Sequence, residues 1–146
     1  MAKFKYRMQN ILNVKMKLES QAKIAYGIAN QKYMEEQQKL QEIILRRASY
    51  EKILKDSMTG NIDVRQVSHA RADVNTMKTF MRRQMIEVHK AERALEDARR
   101  ALNEVMMERK THEKLREKAF EQFKEELKAE ESKEIDQLVS YTYNAR

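Results

Sequence analysis

Proline is missing from this chain, and glycine occurs only at Gly27 and Gly60. With so few turn residues the chain cannot fold back on itself many times and must be extended helix. Cysteine is absent as well, which excludes disulfides, a thiolate metal site and a cysteine nucleophile, and fits a reducing cytoplasm. No stretch approaches the roughly 18 uncharged apolar residues of a membrane span. The basic residues Lys3, Lys5, Arg7, Lys15 and Lys17 are not followed by an apolar core of the kind a signal peptide needs. The chain is therefore expected to be soluble and intracellular.

The equipment of catalysis is equally sparse. There is no G-x-x-x-x-G-K-[ST], no G-x-G-x-x-G and no other glycine-rich cradle for phosphate. His69, His89 and His112 are too far apart to ligate one metal along a helix, where partners fall three or four residues away. His112 reads as a polar position tolerated near a helix seam. The carboxylate pairs Glu35/Glu36 and Glu130/Glu131 are adjacent and expected to be exposed, with no apolar pocket to raise a pKa for acid–base work. Enzymatic activity is excluded on this reading, and no catalytic residue, cofactor, metal or small-molecule ligand is expected.

What the chain does have is charge and heptads. Charged residues make up 36% and apolar residues 41% of its 146 residues, and the mean hydropathy is −0.88. Such a composition suits a thin assembly with much surface and little interior. Val67, Ala70, Val74, Met77, Met81, Gln84, Val88, Ala91, Leu95, Ala98, Leu102 and Val105 step by three and four without a slip, the signature of a coiled-coil seam. An earlier run is less regular. Phe4, Met8, Ile11, Leu18, Ala22, Ala25 and Ala29 form one stretch, Leu40, Ile43, Arg47, Tyr50 and Leu54 another, and the charged Lys32 and Glu36 lie between them.

The break between the runs is Thr59-Gly60-Asn61-Ile62-Asp63. Gly60 can take the left-handed conformation that ends a helix. Asp63 and Gln66 have capping-box spacing, and Ile62 with Val67 could form the flanking staple. So short a connection makes the helices antiparallel neighbours. The predicted fold is all-α: a two-helix antiparallel coiled-coil hairpin with an unpaired C-terminal helical overhang, one domain over residues 1–146. Helix 1 is expected over about 4–58, the turn over 59–63 and helix 2 over about 64–142. Reflection about Asn61 sets Phe4 near Lys118 and leaves everything beyond about Phe120 without an intramolecular partner. After Val105 the pattern slips: Arg109, His112 and Arg116 keep the old register, while Leu115, Ala119, Phe123 and Leu127 step by four. The overhang keeps an apolar stripe of Phe120, Phe123, Leu127, Ile135 and Leu138, which reads as a docking site.

Formal charge is +7, unevenly placed. Through Asn61 there are 12 basic against 6 acidic residues, from Ile62 to His112 11 against 8, and from Glu113 onward 7 against 9. A nucleic-acid clamp is disfavoured because acidic residues interleave after Glu19 and few exposed aromatics stand beside the lysines. A basic zipper fails because an antiparallel turn prevents parallel helices from forking over DNA. A membrane-surface helix at residues 3–18 is better explained as seam. A stalk or adaptor whose ends engage other proteins uses both the overhang and the asymmetry, with a generic cytoplasmic coiled-coil scaffold as the alternative.

The two ends carry more than periodicity. Phe4-Lys5-Tyr6-Arg7-Met8-Gln9-Asn10-Ile11-Leu12-Asn13-Val14-Lys15 resembles the F-x-(Y/F)-x-x-Q-x-(I/V)-L-x-(L/V)-(K/R) opening of the flagellar FliJ family. Glu113-Lys114-Leu115-Arg116-Glu117-Lys118-Ala119-Phe120 and Lys133-Glu134-Ile135-Asp136 are similar to that family's E-K-x-R-E-K-x-(F/Y) and K-E-x-D signatures, and the turn lies where the family has its short break. Ser68-His69-Ala70-Arg71 departs from the aromatic residues that related chains often carry after the turn. The resemblance implies a stalk-like component of the flagellar type III export apparatus, cytoplasmic and peripheral to the membrane, supporting flagellum assembly and motility. The implied partners are the hexameric export ATPase, the cytoplasmic domain of the export gate and the export chaperones, with no nucleic acid. On this reading Phe4, Arg7, Met8, Leu12, Leu115, Arg116, Phe120 and Phe123 meet the ATPase ring, and Ile43, Tyr50 and Met77 meet the gate, with a purely seam role as the alternative for Met8, Leu12, Ile43 and Met77.

Overall fold

The computed structural model describes residues 3–145, which fold as two long helices that pack against each other as a hairpin. α1 spans Gln9–Ser57 and α2 spans Val64–Asn144. Among the described residues there is no strand, and no helix is long and apolar enough to cross a membrane.

The turn is built as its residues dictate. Gly60 has φ 76°, a conformation that side chains with a Cβ rarely adopt. The amide of Arg65 donates to Oδ1 of Asp63 at 3.0 Å, so Asp63 caps α2. Ile62 stays 61% exposed and does not staple the helix start.

α1 begins at Gln9, five residues later than the predicted Phe4. No Ser, Thr, Asp or Asn precedes it to accept its free amides, and Lys3, Lys5 and Arg7 lie at the positive end of the helix dipole. The chain turns into the helix through a hydrogen bond from the Gln9 amide to the Tyr6 carbonyl, 3.1 Å.

The residues group into two compact units, each taking part of both helices. One is Ala22–Leu102, which contains the turn. Its α2 face is the predicted seam: Ala70, Val74, Met77, Val88 and Ala91 are buried, and Val67, Met81, Gln84, Leu95, Ala98 and Leu102 are half-buried. Its α1 face is Ala22, Tyr26, Ala29, Tyr33, Glu36, Leu40, Ile43, Arg47, Tyr50, Leu54 and Ser57, all shielded and spaced by three and four. Lys32, expected in the seam, is exposed and reaches back to Glu36 from outside.

The other unit holds the residues up to Gln21 and those from Asn103 onward. Here the pairing is Leu12, Lys15 and Glu19 of α1 with Val105, Arg109 and His112 of α2, all buried or half-buried. Met8, Ile11 and Leu18, predicted as seam, are exposed, and so is Ala25 in the first unit. The seam runs one residue later because Lys15 and Glu19 satisfy their charges across it, on Glu108 and Arg109. A search for apolar residues passes over such positions and lands on the neighbouring stripe. Beyond Phe120, Phe123 and Leu127 are half-buried, and every described residue from Lys128 on is exposed.

Candidate protein-docking site

In the second unit the segment before α1 folds an aromatic residue onto α2. Phe4 sets its ring 5.0 Å from Phe120, edge to face, and 5.5 Å from Phe123. This lies two and five residues past the predicted partner Lys118. The Arg116 guanidinium stands 5.8 Å from the Phe4 ring centroid and donates Nε–H to Oε1 of Gln9 at 2.9 Å. Lys124 holds its ammonium 4.7 Å from the Phe120 centroid. The result is a cluster of three rings overlaid by two cations.

Five of the eight predicted ring-contact residues are exposed in this unit. Met8, Phe120 and Leu115 are 37%, 40% and 44% exposed, Arg7 and Arg116 are exposed, and Phe4 is half-buried. Phe123 is half-buried beneath Phe4. Leu12, 4% exposed, is buried between the helices and is not an accessible contact residue.

Two polar sites brace the same unit. Lys15 Nζ meets Glu108 Oε2 at 2.8 Å, and that ammonium's hydrogen bond and charge hold the Glu108 carboxyl below its ordinary range. Arg109 bridges Glu113, at 2.8 Å, and the buried Glu19; those two carboxylates raise its pKa further. His112, half-buried as expected of a tolerated polar position, keeps Nδ1 without a hydrogen-bond partner among the described residues.

In the turn-containing unit the predicted gate residues are less open. Met77 is buried, and Ile43 and Tyr50 are half-buried. Ile43 opens onto a shallow groove with Phe80, Arg83 and Ile86, of which Phe80 is 42% and Ile86 56% exposed. The sequence reading missed Phe80 and Ile86. The signal available was an aromatic and an aliphatic residue standing off the twelve-residue seam of α2.

Glu36, expected to be exposed beside Glu35, is instead buried in this unit's seam, 4% exposed, because Lys32, Lys39 and Gln84 satisfy its carboxylate there. Lys32 approaches it at 2.9 Å and Lys39 at 3.5 Å, while Gln84 donates Nε2–H to its carboxylate at 2.5 Å and to its carbonyl at 2.9 Å. Hydrogen bonds from Lys32 and Gln84 hold the Glu36 carboxyl at about 2, against the opposing cost of desolvation.

No match is found among curated proteins or among solved structures. The aromatic opening, the Glu113–Phe120 segment that receives it, the Lys133–Asp136 segment and the short turn are the features that carry the FliJ resemblance. The comparison with families agrees with it: residues 4–146 match the family described as Flagellar FliJ protein, and the chain belongs to the FliJ family.

Proposed function

We propose that this flagellar export component works as a stalk or adaptor that binds the hexameric export ATPase and the export gate and engages the export chaperones. Family membership supports the setting, the flagellar export apparatus. The cluster of Phe4, Phe120 and Phe123 under Arg116 supports the ring contact: it is an accessible aromatic and cationic surface on braced helices, the composition that dominates protein interfaces. In this reading Arg7, Met8, Leu115, Arg116 and Phe120 touch the ring, Phe4 and Phe123 shape the surface, and Leu12 serves the pairing of the helices. For the gate, Tyr50 and Ile43 make the contact and Met77 supports them. The chain acts without a cofactor and without catalysis of its own, in the cytoplasm at the membrane-facing apparatus.

Arg116→Glu combined with Phe120→Ala tests the ring contact. The expected result is unchanged helix content by circular dichroism and at least about a tenfold loss of affinity for the purified ATPase, the size of ~1.4 kcal/mol. Unaltered binding refutes the assignment.

A further inference from the structure

Ile11, Val14 and Leu18 are 42%, 54% and 39% exposed. They follow one another at heptad spacing just ahead of the seam positions Leu12, Lys15 and Glu19, so this part of α1 carries a second apolar stripe beside the one it uses. In the same unit the overhang of α2 carries another bare stripe, with Ile135 60% and Leu138 66% exposed. α2 runs unbroken from Val64 to Asn144 with no glycine or proline in it, so the overhang cannot turn back onto its own α1.

The stripes are opposite in charge. Residues 3–18 hold Lys3, Lys5, Arg7, Lys15 and Lys17 and no acidic residue, whereas Glu130, Glu131, Glu134 and Asp136 outnumber Lys128 and Lys133 in the overhang. Their spacing agrees as well. Ile11, Val14 and Leu18 step by three and four, and so do Ile135, Leu138 and Thr142. Set parallel in that register, Ile135 faces Ile11 and Leu138 faces Val14.

The direction fits too. Gln9 bonds Arg116 and Lys15 bonds Glu108, so the helices are antiparallel in this unit and the overhang points away from the start of its own α1. A second copy approaching that end presents its α1 running the same way. We propose that the occupant of each overhang is the basic apolar stripe of a second copy, giving a reciprocal two-fold dimer in which each chain contributes one overhang and one α1 face.

Sedimentation of the full chain over a range of concentration and salt tests this. The wild type is expected to form a dimer that weakens as salt rises. Leu138→Glu should raise the dimer dissociation constant about tenfold or more. Because the chain lacks cysteine, mixing Ile11→Cys chains with Ile135→Cys chains under oxidation gives a second readout, a disulfide joining unlike variants. A chain that stays monomeric at every concentration overturns the proposal and leaves the stripe to a basic helix of another protein. So does a dimer indifferent to Leu138→Glu, or the absence of the mixed disulfide.

Discussion

At the residue scale the informative side chains are charged ones in places where apolar ones were expected. Glu36 is nearly inaccessible, yet its carboxyl is held at about 2 by Lys32 and Gln84. A depressed folded-state value means that Glu36 binds its proton less readily in the folded chain than in the unfolded one. Its contribution to stability is therefore complete above the ordinary carboxylate value of 4.5 and is lost as pH falls toward about 2. Glu36→Gln should lower the melting temperature at neutral pH, and the gap from wild type should close between those two pH values. A gap constant down to pH 2, measured by circular dichroism melts, would show that the carboxylate charge contributes nothing. Glu19 and Arg109 repeat the arrangement in the other unit, where Glu113 shares the guanidinium. Such buried pairs are weak sources of net stability, and their best-attested role is to fix register.

At the element scale the two glycines have opposite roles. Gly27 lies inside α1 with no atom within 4 Å of where a Cβ would stand, so it costs helix propensity and offers no packing in return. Gly27→Ala should stabilise the chain by roughly 0.5–1 kcal/mol. Gly60 also has open space around it, but its φ of 76° penalises any Cβ through the backbone alone. Gly60→Ala should destabilise by roughly 1–2 kcal/mol. Urea unfolding of both variants reads the difference as midpoints moving in opposite directions at unchanged slope. The start of α1 belongs to the same scale. Phe4 is apolar and heptad-spaced, which reads as helix, yet without a cap and with three cations at the positive end the first turns do not form. Freed from the helix, Phe4 lays its ring on Phe120 and Phe123 instead.

At the scale of the whole molecule the family match gives the chain its place, the flagellar export apparatus. A strain lacking the chain should lose swimming and the secretion of flagellar subunits, both returning on complementation; normal secretion would refute the role proposed for it. The sequence by itself determined the helical class, the turn and the seam of α2, because a lone turn glycine and unbroken apolar spacing are local signals, and the α2 seam from Val67 to Val105 holds no charged residue to shift it. It also determined the family, through short motifs at both ends. Only the tertiary structure decided the face that the first part of α1 turns inward. Lys15, Glu19 and Glu36 look like surface residues until Glu108, Arg109 and Gln84 stand opposite them, and the free energy that draws a charge inward belongs to the pair. The same holds for the docking site, since Phe4 and Phe120 form one aromatic surface only when antiparallel helices bring them 5.0 Å apart.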